Sequence, residues 1–128
     1  MCNSDHAGSI DPSFVDPGGT PYLLWKSEGV PGQVPTRIWA QRLRADGLAV
    51  ASGTQPSELM RTTEAWEGEV VESPSLVSYG GRLLLFYSAN EHRSARYAIG
   101  WAECATPTGP CAKRSLTASL TARSTISV

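Results

Sequence analysis

Ser75-Leu76-Val77-Ser78-Tyr79-Gly80-Gly81-Arg82-Leu83-Leu84-Leu85-Phe86-Tyr87-Ser88 repeats a pattern already present near the start of the chain. Ser13-Phe14-Val15 corresponds to Ser75-Leu76-Val77, Gly18-Gly19 to Gly80-Gly81, and Tyr22-Leu23-Leu24-Trp25 to Leu84-Leu85-Phe86-Tyr87. Further on, Trp39-Ala40 corresponds to Trp101-Ala102. One offset, 62 residues, relates all four matches without a gap. Self-similarity at a fixed spacing marks a fold built from stacked copies of one unit.

Each copy reads as strands. Ser13-Phe14-Val15 is short and apolar and runs into Asp16-Pro17-Gly18-Gly19, a strong turn signal. Tyr22-Leu23-Leu24-Trp25 is a continuous apolar run, which suits a strand covered on both faces. Arg37-Ile38-Trp39-Ala40-Gln41-Arg42-Leu43 mostly alternates and ends at the turn Ala45-Asp46-Gly47. The second copy follows suit, with Ser75–Ser78, Leu83–Ser88 and Tyr97–Ala102. No stretch shows sustained helical periodicity. An all-β unit of this size, with three or four antiparallel strands, is the size of a propeller blade. One blade cannot bury both faces of its own sheet, so a neighbour must stack on it. Two blades do not close a ring; a five-bladed ring at this period would take about 310 residues. The expected organisation is an incomplete propeller over residues 1–112, with blades around 8–60 and 66–112. From Lys113 the pattern collapses: Ser115-Leu116-Thr117-Ala118 is followed at once by Ser119-Leu120-Thr121-Ala122. Residues 113–128 are therefore expected to be an irregular tail, truncated or disordered.

The bulk properties fit this class. Among 128 residues, twelve glycines and nine prolines punctuate the short apolar runs. A net charge of −1 supplies no basic field for nucleic acid. No apolar run approaches the roughly 20 residues needed to span a bilayer. The first residues carry no apolar core of a signal peptide. Of three cysteines, Cys104 and Cys111 bracket Ala105-Thr106-Pro107-Thr108-Gly109-Pro110, a tight reversal that can bring their sulfurs together. A disulfide there would imply an oxidising compartment; the alternative is two small apolar side chains on adjacent strands. Cys2 is left over, and no zinc-ligand spacing occurs.

Two acidic residues take nearly matching places in the two copies: Asp11, before Pro12-Ser13, and Glu72, before Ser73-Pro74-Ser75. Each precedes the first short strand of its repeat. The innermost strands of a propeller line its axis, so carboxylates there can converge across one pocket. Glycoside hydrolysis needs such a pair, one group donating a proton to the leaving oxygen and one activating water or attacking carbon. A further carboxylate can hold the acid protonated by like-charge repulsion. The plainer reading is that Asp11 caps the turn before Pro12 and Glu72 is a solvated strand residue.

The local words favour the first reading. Ile10-Asp11-Pro12-Ser13-Phe14, Asp16, the glycine turn and Tyr22-Leu23-Leu24-Trp25 resemble the second-blade motif of glycoside hydrolase family 43. Trp66-Glu67-Gly68, Val71-Glu72-Ser73-Pro74-Ser75-Leu76 and Leu84-Leu85-Phe86-Tyr87-Ser88 resemble its third-blade motif. Tyr97-Ala98-Ile99-Gly100-Trp101-Ala102 and Thr108-Gly109-Pro110 are similar to the end of that blade. The resemblance covers roughly residues 8–112. It implies a five-bladed propeller that hydrolyses arabinose- or xylose-containing saccharides with inversion, and a secreted parent protein. It implies Glu72 as the general acid and Asp11 as the carboxylate that tunes and orients it.

The family's general base is an aspartate on the preceding blade, and only ten residues precede Asp11. Asp5 lies among them without a strand motif and is not assigned. Ser73 departs from the smaller residue usual at its place. The chain alone is accordingly expected to hydrolyse little. Trp66 and Glu67 are candidates for lining the sugar cleft. Trp39 and Trp101, at equivalent places, point to packing between blades. Some members hold a metal ion on the propeller axis; His92 does not match that motif, so no metal ligand and no cofactor is assigned here. Competing readings are a carbohydrate-binding propeller without turnover and a scaffold for protein partners.

Overall fold

The repeat becomes two antiparallel meanders. The computed structural model describes residues 8–115, 117 and 120–121. The first sheet runs, in spatial as in chain order, β1 (Ser9–Val15), β2 (Tyr22–Ser27), β3 (Arg37–Arg42) and β4 (Ser57–Arg61). After a 3-10 turn at Ala65–Glu67 comes the second, with β5 (Val71–Tyr79), β6 (Arg82–Ala89), β7 (Ala98–Cys104) and β8 (Cys111–Lys113). A two-residue β9 (Leu120–Thr121) pairs with β7 at Ala98 and Ile99. These are two propeller blades side by side in an open ring, and the inner strands β1 and β5 are neighbours.

Hairpin chemistry sets the register. Gly80 and Gly81 both take positive φ (57° and 74°) between the paired residues Tyr79 and Arg82. A two-residue loop with both φ positive matches the right-handed twist of the flanking strands, and glycine reaches it without steric cost.

One core fills the space between the sheets. Leu24, Ile38, Ala40 and Met60 from the first sheet meet Val71, Leu76, Leu85, Tyr87, Ala89 and Ala102 from the second. Each large apolar side chain removed from water there contributes about 1.5–3 kcal/mol. The apolar run of β2 is covered on both faces, with Leu24 and Trp25 both buried. Its counterpart on β6 is not: Leu85 and Tyr87 are buried whereas Phe86 between them is 38 % exposed. Alternate side chains point to opposite faces, and only one face of β6 has a sheet packed on it. Parity also places the two tryptophans. Trp39 lies between core residues Ile38 and Ala40, and Trp101 beside core residue Ala102. Both therefore project from the faces turned away from the core between these two sheets.

Polar links tie the blades. Thr36 Oγ1 accepts the Val71 N–H at 2.7 Å. Within the second blade, Cys104 and Cys111 are register partners on β7 and β8 and form a disulfide. The irregular tail expected from residue 113 needs correction at three places: Lys113 closes β8, and Leu120 and Thr121 pair with β7. Threonine is a good strand residue, and the part of the β7 edge at Ala98 and Ile99 offers β9 a partner. Cys2, Asp5 and His6 lie outside the described residues.

Candidate active site

Two β-bulges build the site. The β1–β2 ladder shifts register between Ile10 and Ser13, and the β5–β6 ladder between Glu72 and Ser75. Both interruptions contain a proline, Pro12 or Pro74, which has no N–H to give a ladder. Asp11 and Ser73, just before these prolines, sit in the left-handed region at φ 55° and 52°. Asp adopts that conformation more readily than most residues. The bulges explain why the strands begin earlier than the sequence suggests. Asp11 and Glu72 lie inside β1 and β5, not ahead of them. They also refine the equivalence of the two carboxylates. Asp11 matches Ser73 by the 62-residue offset, so Glu72 stands one position earlier in its own bulge.

That one-residue stagger brings the bulges into contact. Asp11 Oδ2 accepts the Ser73 N–H at 2.9 Å and the Ser73 hydroxyl at 3.4 Å. The carboxylate of one blade thus takes up the main-chain donor next to Glu72 on the other.

Glu72 is held at both oxygens. Lys26 Nζ donates to Oε2 at 3.0 Å and the Tyr97 hydroxyl donates to Oε1 at 2.9 Å. Lys26 ends the apolar run of β2 but shares the inward parity of Leu24, and it is buried. Its ammonium also lies 3.2 Å from Glu28 Oε1. Burial works against the charged form, but the hydrogen bonds to Glu72 and Glu28 outweigh it, and the Lys26 pKa is raised. Tyr97, just ahead of β7, is pushed up by burial and by the Glu72 carboxylate it faces. Lys26, Glu28 and Tyr97 were missed by reading the sequence alone. A lysine closing an otherwise buried apolar run was the available signal.

Trp66 and Glu67 do not line a cleft. Glu67 is 0 % exposed. Its Oε2 accepts the N–H groups of Thr63 and Glu64 at 2.9 and 3.0 Å, which caps the 3-10 turn. Its Oε1 accepts the Tyr87 hydroxyl at 2.8 Å, and Lys113 Nζ lies 2.7 Å away. Burial and Glu67 together push the Tyr87 hydroxyl's pKa upward. Trp66 packs against Tyr87 at 5.9 Å between ring centroids and donates its indole N–H to the Ser115 carbonyl at 3.1 Å. Both residues anchor the core of the second blade.

Among the described residues no three His, Cys, Asp or Glu side chains are grouped to hold a metal ion. His92 is an exposed loop residue beside Glu91, 3.0 Å away. Among the same residues no helix is long and apolar enough to cross a membrane.

Comparison with known proteins identifies the family to which this fold belongs. The family model of glycosyl hydrolases family 43 matches residues 2–126. A thermostable family-43 glycoside hydrolase superposes with a TM-score of 0.78 at 28 % identity, over 88 % of this chain and 39 % of its own. An endo-1,4-beta-xylanase from Bacteroides thetaiotaomicron gives 0.72 at 34 % identity, over 84 % and 37 %. An endo-arabinase from the same organism gives 0.67 at 25 % identity, over 87 % and 43 %. No curated protein matches the chain. The chain thus spans 39 % of the first of these structures and 37 % of the second. With the repeat, the paired bulges and the family match in agreement, the chain belongs to glycosyl hydrolase family 43.

Proposed function

We propose that the protein hydrolyses glycosidic bonds in arabinose- or xylose-containing plant polysaccharides or oligosaccharides, with inversion. Glu72 is the general acid and Asp11 the neighbouring carboxylate that orients it. The observation carrying this reading is the joined pair of bulges, in which Asp11 is bonded to the residue that follows Glu72. In the reaction Glu72 gives its proton to the leaving glycosidic oxygen while a base-activated water adds to the anomeric carbon from the opposite face. The base stands on a further blade, about 6.5–9.5 Å from the acid across the bond. Two blades that do not carry that base are expected to hydrolyse little by themselves. The Cys104–Cys111 disulfide suits an oxidising compartment, in keeping with secretion.

A second reading, carbohydrate binding without turnover, has one observation in its favour. Lys26 is best neutralised by an ionised Glu72, whereas a general acid works from its neutral form. One assay separates the two. The complete natural polypeptide is tested on arabino- and xylo-oligosaccharides beside its Glu72→Gln variant, and sugar binding is followed by calorimetry. Loss of turnover with binding retained supports the acid role. Equal turnover in both removes Glu72 from the mechanism, and binding with no turnover in either establishes the second reading.

A further inference from the structure

The two partners that hold Glu72 differ in what they tolerate. A tyrosine hydroxyl donates to a carboxylate and accepts from a carboxylic acid, so Tyr97 at 2.9 Å serves either state. An ammonium only donates. Lys26, 3 % exposed, would face a neutral Glu72 as an uncompensated buried charge. Glu28 meets this difficulty. Its Oε1 lies 3.2 Å from Lys26 Nζ, which also makes the 3.0 Å contact to Glu72. Its side chain is 34 % exposed and borders an open cleft of about 450 Å³, so water also reaches it.

We infer that Glu28 is a reserve counter-ion for Lys26, which lets Glu72 take up the proton it must donate without stranding a buried ammonium. This rests on the reading of Glu72 as the general acid, and it makes Lys26 and Glu28 positioning residues. The groups around Glu72 are Lys26 from β2, Tyr97 ahead of β7, and Asp11 of β1 bonded to the adjoining Ser73. Glu28 acts on Glu72 through Lys26.

The test reads Lys26 and not turnover. The full chain, carrying ¹³C-labelled lysine, is titrated by NMR as wild type, Glu72→Gln, Glu28→Gln and the double variant. Glu72→Gln reproduces the shape and neutrality of the protonated acid. In that variant Lys26 is expected to stay an ammonium through neutral pH, held by Glu28. In the double variant burial acts unopposed, and the Lys26 midpoint falls below that of Glu72→Gln. Equal midpoints in those two variants overturn the inference. Should the double variant not fold, Glu28→Gln decides alone: a midpoint below wild type supports the inference and an unchanged one overturns it. Turnover by Glu72→Gln in the complete polypeptide judges the acid role separately, so the two readings fail independently.

Discussion

Asp11 and Ser73 hold the same position in two copies of one repeat, and they are hydrogen-bonded to each other. Each stands at left-handed φ in a bulge, and Asp11 Oδ2 accepts the Ser73 N–H at 2.9 Å. The bond therefore joins the blades at the point where Glu72 is presented. Asp11→Ala leaves that N–H without its partner and should cost about 1 kcal/mol of stability in urea unfolding. Asp11→Asn keeps an acceptor oxygen and tolerates the same φ, so its stability should stay within about 0.5 kcal/mol of wild type. A loss as large in Asn as in Ala would show that the charge, and not the hydrogen bond, joins the blades.

Lys113 neutralises a carboxylate that has no access to water. Its Nζ lies 2.7 Å from Glu67, which is fully buried. Lys113→Met should destabilise the fold by about 3 kcal/mol, because one charge of a buried pair is left behind. Adding Glu67→Gln removes that charge and should recover part of the loss. Thermal unfolding of the single and double variants measures the difference, and an additive pair would count against the coupling.

Gly100 is required by the tryptophan above it. A methyl group at this position would lie 2.7 Å from the Trp66 ring and 2.9 Å from the Tyr87 ring. Neither ring can bend away, so Gly100→Ala should cost about 1–3 kcal/mol and alter the near-ultraviolet circular dichroism of Trp66. Unchanged stability would mean that β7 and the 3-10 turn are free to separate.

Glu103 responds to acid through Arg82. The Arg82 guanidinium, 2.8 Å away, and secondarily Arg114 hold the Glu103 carboxyl at about 2, below its ordinary 4.5. A depressed carboxyl contributes stability that is present above the ordinary value and is lost as pH falls through about 2. Carbon-detected NMR on Arg82→Gln should show the Glu103 midpoint rising toward the ordinary value. A midpoint that stays near 2 would assign the effect elsewhere.

The fold was legible because it is written twice. A constant 62-residue offset, paired glycine turns and apolar runs of strand length specify two stacked meanders through local chemistry alone. The Cys104–Cys111 pair was a candidate on local grounds, since a tight reversal leaves few ways for its ends to lie, and the structure decided for the disulfide. Trp66 and Glu67 show where this stops. Their place beside a motif suggested a cleft, but a charged residue and an aromatic one are equally at home inside a core when Lys113 and Tyr87 meet them. Those partners lie 46 and 20 residues away from Glu67 in the chain, and no local pattern announces them.

The sequence by itself determined the blades, the turn positions and the two carboxylates worth attention. Only the tertiary structure decided that Asp11 bonds the neighbour of Glu72, that Lys26 lies between Glu72 and Glu28, and that Tyr97 completes the hold. Strand and turn preferences act over a few residues, so they can be read along the chain. The contacts that orient Glu72 cross between sheets, where the stagger of two bulges fixes which side chains meet.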